Sequence, residues 1–212
     1  MELIINIAIY ALPILFAITM HEVAHGLVAR FLGDSTAARL GRLSLNPIKH
    51  IDPVGTVLVP AILFMAGGFL FGWAKPVPVD MQQLHDPKRD MALVAAAGPA
   101  SNFVMAFIWA FVMKLAFTMD AGLAQAVLIE MSKIGLIINL VLMVLNLIPI
   151  PPLDGGQVLS GVLPNHLSGM LAKIEPYGLF IIFGLLALGA LRLVMQGPIS
   201  FFQTLITKTV GL

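Results

Sequence analysis

Residues 3–20 read LIINIAIYALPILFAITM and run without a break into His21-Glu22-Val23-Ala24-His25. That apolar run holds no charged residue, and its length approaches the roughly 20 residues with which an α-helix crosses a bilayer core. At about 100° per residue, His21 and His25 leave such a helix from nearly one face, one turn apart. Two imidazoles and a carboxylate on an apolar helix are costly unless something pairs or coordinates them. A cleaved secretory signal does not fit, because the run lacks a basic leading region, carries Glu2 instead and has no small-residue cleavage site. The stretch therefore reads as a retained membrane helix that ends in a polar site.

The rest of the chain repeats the pattern. Apolar runs recur at 53–72, 91–113, 134–153 and 177–191, with nearly all the charge between them. An apolar content of 59%, 11% charge and a mean hydropathy of +0.97 exclude an ordinary water-soluble domain. A net charge of +1 offers no surface for nucleic acid, so the implied environment is the lipid bilayer. The absence of cysteine rules out thiolate ligands and leaves nitrogen and oxygen to hold any metal. No Gly-rich phosphate loop or dinucleotide fingerprint occurs.

The expected fold is an all-α polytopic membrane protein with about four transmembrane helices, a re-entrant segment and a short β element near the active site. Pro60, Gly67 and Gly68 interrupt residues 53–72 and favour a hairpin that dips into a protein-lined cavity. Alternation over residues 39–45 suggests the short strand, and an exposed edge there would bind substrate by strand addition. Residues 1–212 read as a single membrane-embedded domain, with a core over 10–160 and a C-terminal helix and tail over 177–212. The tail from Gly197 onward fits an interfacial helix or a contact with a neighbouring subunit.

His21 and His25 can share one ion, and a carboxylate at Glu22 sits beside such a metal rather than on it. From there it can take a proton from water and pass it to a leaving amine, which is the arrangement of a metallopeptidase. Catalytic zinc usually takes three protein ligands, and Asp154 is the strongest third candidate. It follows three prolines and precedes two glycines in the stretch from Asn146 to Gly156, an irregular backbone of the kind that lines cavities at membrane depth. Gly98, Pro99 and Asn102, in Gly98-Pro99-Ala100-Ser101-Asn102, read as helix packing, with Asn able to bond across the interface. His50, His85 and His166 read as loop residues.

Taken together, His21 to Gly26, the Gly98 to Asn102 motif and the Asn146 to Gly156 stretch resemble the site-2 protease family. The resemblance covers roughly residues 10–160. It implies His21, His25 and Asp154 as zinc ligands, Glu22 as catalytic base and Asn146 as support for substrate or intermediate. Only 43 residues separate Asn102 from Asn146 and 56 follow Gly156, which resembles a minimal member without PDZ or CBS domain.

The implied activity is an intramembrane zinc endopeptidase acting on membrane-protein substrates. The alternative is a non-proteolytic zinc-binding membrane protein, either a transporter or an inactive client-binding relative. Transport is disfavoured because the runs 134–145 and 177–191 hold almost no polar residues.

Charge counting scores two topologies alike. His21 and Asp154 decide between them, since they lie about 27 and 30 Å along their helices and reach one depth only if those helices run parallel. Residues 53–72 must then re-enter. The loops carrying Arg30, Arg39, Arg42, Lys49, Lys75, Lys88 and Arg89 become cytoplasmic, with the site nearer that face.

Overall fold

A backbone in hydrocarbon must satisfy its own N–H and C=O groups, and a helix does so within one segment. In a computed structural model that describes residues 2–67 and 72–212, the chain is helical almost throughout. Helix α1 (Glu2–Phe31) is followed by the single turn α2 (Thr36–Arg39). A π-helical turn at Pro53–Leu58 leads into α3 (Val59–Gly67). Helix α4 (Pro87–Ala116) starts where Asp86 accepts the Arg89 N–H and Pro87 takes the first helical position. Then come α5 (Leu123–Asn146), α6 (Asp154–Val162), α7 (Asn165–Ile174), α8 (Gly178–Ala187) and α9 (Ala190–Val210).

Four stretches among the described residues are helical, long and apolar enough to cross a membrane: Ile9–Phe31, Pro87–Ala116, Leu123–Asn146 and Asn165–Ala187. They match a multi-pass membrane protein. The fourth is α7 and α8 joined through a 3-10 turn at Glu175–Tyr177, and it begins well before the apolar run at 177.

Helices α1, α4 and α5 form the centre. Asn102 of α4 meets Ala17 and His21 of α1 while Val94 meets His25, so these two helices run antiparallel. Asn102 also meets Asn139 of α5, and the Trp109 ring lies on Gly135, so α5 is antiparallel to α4 and parallel to α1. Close approach rests on small residues: Ala17, Ala95, Ala106 and Ala110 are all buried at these contacts. Leu136, Leu140 and Met143 of α5 extend the same core to Ile182 of α8.

One expectation needs correction. No strand occurs among the described residues, and 39–45 is not one. The end of α2 closes with the Gly41 and Arg42 N–H groups bonded to Ala38 and Ala37 carbonyls, and Gly41 takes φ +64, so the backbone turns. The Arg42 guanidinium, expected on a strand face, donates to the Lys75 and Pro76 carbonyls.

The tail lays one face of α9 on the helix core and keeps apolar side chains such as Phe201 exposed. Leu191, Met195 and Ile206 of α9 are buried in the α4–α5 core, Phe202 stacks edgewise on Phe103, and Lys114 donates to the Val210 carbonyl. Its apolar residues recur at helical spacing and bury one face, while Phe201 and Leu205 stay exposed on the other.

The tip of the expected re-entrant segment, residues 68–71, lies outside the described residues. Its two ends meet: Trp73 N–H donates to the Gly55 carbonyl, and the Thr56 hydroxyl donates to the Trp73 carbonyl.

Candidate metal centre

One turn of α1 presents both histidines to the start of α6. His21 Nε2 and His25 Nε2 lie 3.0 Å apart, and Asp154 Oδ2 is 3.2 Å from the first and 3.5 Å from the second. Tetrahedral zinc with bonds near 2.0–2.1 Å separates its ligands by about 3.3 Å, so the triangle has the size of one face of a zinc shell. His21 is buried, and Asp154 Oδ2 is sealed from solvent with no hydrogen-bond partner.

The outer nitrogens explain why the inner ones converge. His21 Nδ1 lies 2.6 Å from Asn102 Oδ1, and His25 Nδ1 lies 2.7 Å from the Val94 carbonyl. Both partners accept, so both rings carry their proton on Nδ1 and point a lone pair inward. Two lone pairs and a carboxylate facing one another repel unless a proton or a cation stands between them. A divalent cation satisfies all three atoms at once, and the residues present therefore fit a metal.

The sequence around each ligand builds this geometry. Gly98 of α4 faces the two rings, and a Cβ there would stand 2.4 Å from His25 Nε2 and 2.6 Å from His21 Cε1. Asp154 opens α6, where the helix N-terminus favours negative charge. The loop before it folds back so tightly that a Cβ on Gly155 would meet the Leu147 carbonyl oxygen at 2.4 Å.

Glu22 stands next in α1 and accepts the Val77 N–H on Oε2 at 2.9 Å. Prolines 76 and 78 leave Val77 as the sole N–H donor among those three residues, and each proline favours extended chain before it. Farther along, the Asp80 N–H bonds Asp34 Oδ2 at 2.7 Å and so pins this stretch to the end of α1.

Asn146 closes α5 and donates to the Leu142 carbonyl, with no bond to the three converging atoms. Ser101 donates to the Gly98 carbonyl. His50 is buried and bonded to the Ser44 carbonyl, away from the cluster. Three contributors escaped the sequence reading: the Val94 carbonyl, the Val77 N–H and Asn139. Only Asn139 left a signal, as a lone carboxamide inside the apolar run from 134.

The family model described as Peptidase family M50 matches residues 115–189. A Bacillus subtilis protein named "Putative zinc metalloprotease YwhC" is 41% identical over 175 residues, which span 81% of this chain and 76% of that protein. The chain belongs to peptidase family M50, the site-2 protease family. Within M50, the chain is also 31% identical to "Putative zinc metalloprotease Rip2" of Mycolicibacterium smegmatis, over 84% of its own length and 66% of that relative. To the Rip2 of Mycobacterium tuberculosis it is 29% identical, and there it spans 61% of the relative. No solved structure matches the chain.

Proposed function

We propose that this M50 member is an intramembrane zinc endopeptidase that cleaves peptide bonds of membrane proteins within or beside the bilayer. The observation that carries the reading is the convergence of His21 Nε2, His25 Nε2 and Asp154 Oδ2, with the Glu22 carboxylate on the adjoining face of the same helix turn. His21, His25 and Asp154 would hold Zn2+, which supplies Lewis-acid polarisation and a water acidic enough to react near neutral pH.

Glu22 is the proton carrier. One carboxylate oxygen is held by the Val77 N–H, which leaves the other to take a proton from the attacking water and return it to the leaving amine. Asn102 and the Val94 carbonyl hold the imidazoles in the tautomer that keeps both Nε2 lone pairs inward. Asn146 ends α5 close in sequence to Asp154, and the second N–H of its carboxamide is available to a developing oxyanion. The substrate is a membrane protein, because its peptide bond must reach a site built on the apolar helices α1 and α4.

Residues 1–212 act as one membrane-embedded protease domain. Residues 53–72 enter and leave the membrane on one side, a reading supported by the bond that joins Trp73 to Gly55. The basic residues between α1 and α4 then face the cytoplasm, and the metal centre lies nearer that side.

The test uses detergent-purified protein, zinc content by mass spectrometry and a panel of single-span substrates. Wild type should carry close to one zinc and cleave, and Glu22→Gln should keep the zinc and lose cleavage. Cleavage by zinc-loaded Glu22→Gln would refute the base assignment. Zinc without any Glu22-dependent cleavage across the panel would favour a non-proteolytic zinc-binding role.

A further inference from the structure

Asn139 sits in the middle of α5, fully buried, between residues that are otherwise apolar. Its Nδ2 donates to the Gly135 carbonyl at 2.8 Å, and its Oδ1 accepts from Asn102 Nδ2 at 2.9 Å. Asn102, also fully buried, donates from the same Nδ2 to the Ala17 carbonyl at 3.2 Å and offers Oδ1 to His21 Nδ1.

The direction of every bond in this chain is forced. A backbone carbonyl only accepts, so Gly135 compels Asn139 to present Nδ2 to it and Oδ1 to Asn102. An amide oxygen at that position compels Asn102 to answer with Nδ2, as the Ala17 carbonyl does independently. Asn102 Oδ1 is thereby turned to His21, whose Nδ1 must be the donor. His21 Nε2 is left bare and aimed at Asp154. Fixed acceptors stand at both anchoring points, the Gly135 and Ala17 carbonyls.

We infer that Asn139 is a positioning residue of the metal centre. Acting through Asn102, it fixes the tautomer and ring orientation of His21 and so sets metal affinity from a helix that supplies no ligand. The inference rests on the zinc reading given above. It also gives α5 a role apart from packing: its carboxamide joins α1 and α4 at the level of the site, and removal leaves a buried donor on Asn102 with one acceptor instead of two.

The experiment measures zinc affinity of the full-length protein in detergent by competition with a chromophoric chelator, for wild type, Asn102→Leu, Asn139→Leu and the double variant. Cobalt-substituted visible spectra and the melting temperature of each metal-free form are recorded alongside. Outer partners of metal-ligating histidines typically govern about 10–100-fold in affinity. Asn102→Leu should lose that much and Asn139→Leu about tenfold, with altered cobalt bands. The double variant should bind no more weakly than Asn102→Leu alone, because Asn139 has nothing left to act through.

Replacing both amides by leucine removes the unpaired amide donor that Asn139→Leu alone leaves on Asn102, so the double variant remains informative if Asn139→Leu alone misfolds. Ser132→Ala, a buried change on the same helix, should leave affinity unchanged. Wild-type affinity and spectrum in Asn139→Leu, or an equal loss from Asn139→Leu in the Asn102→Leu background, would overturn the inference. Absence of zinc binding by wild type would instead remove the reading beneath it.

Discussion

Gly98→Ala sets two known effects against each other. Alanine in a helix interior is favoured over glycine by up to about 1 kcal/mol, so propensity alone predicts a more stable α4. The added Cβ, however, would stand 2.4 Å from His25 Nε2 and 2.6 Å from His21 Cε1, where ordinary contact begins at 3.4 Å. The His25 nitrogen must therefore retreat by about 1 Å, whereas a metal site tolerates about 0.2 Å in its bond lengths. Ring rotation also weakens the bonds to Asn102 and the Val94 carbonyl, each worth about 1 kcal/mol. For the metal-free protein the gain and losses nearly cancel, and its melting temperature should move by only a few degrees. Zinc affinity should fall at least about 100-fold, because neither imidazole can keep its place in the triangle. Chelator competition and metal-free melting curves on the same preparations separate the two effects. A Gly98→Ala protein that binds zinc within about threefold of wild type would refute the claim that this glycine makes room for the rings.

Further substitutions probe the other elements. Val77→Pro removes the one N–H that holds Glu22, so single-turnover cleavage should slow about tenfold with zinc content unchanged, while Val77→Ala stays near wild type. Equal rates in the two variants would dismiss this contact. Asp154→Ala should lower zinc affinity at least about 100-fold, and zinc added back after chelation should restore cleavage to wild type alone. Burial of Asp34 works to raise its pKa. Bonds from the Thr36 hydroxyl and the Asp80 and Thr36 N–H groups, with Arg39 nearby, outweigh that and hold it below the ordinary carboxylate value. The folded form thus binds the proton less readily than the unfolded one, so Asp34 stabilises above the unfolded value near about pH 4, and this is lost as pH falls through the folded value. Melting temperature should fall more steeply for wild type than for Asp34→Asn between about pH 5 and pH 3; parallel curves would exclude the effect.

How much of this was legible depended on sequence distance. His21, Glu22 and His25 share one helical turn, so periodicity alone placed them. Equal depth for His21 and Asp154 requires α1 and α5 to run parallel, and the shared contacts with α4 give them that direction. Apolar runs gave the spanning helices but not their ends, because α5 stops at Asn146 where the prolines begin and the fourth span starts in the polar stretch before 177. The bonds from His21 to Asn102 and from Asn102 to Asn139 cross 81 and 37 residues, and one sequence carries no pattern that pairs such distant carboxamides. The strand at 39–45 failed for a local reason. Alternation describes where side chains point only if the backbone is extended, and Gly41 turns it. For the tail, amphipathic spacing names a buried face without saying what buries it.

The separation of the ligands along the chain also bears on how the molecule is made. His21 and His25 emerge from the ribosome with the first helix, but Asp154 follows 129 residues after His25. At ordinary translation speeds that interval lasts on the order of ten seconds. During it that helix can enter the membrane carrying two histidines and a glutamate, yet the cluster still lacks Asp154 and the partners that α4 and α5 provide. A nascent chain therefore cannot assemble this cluster until the last of these segments has been synthesised.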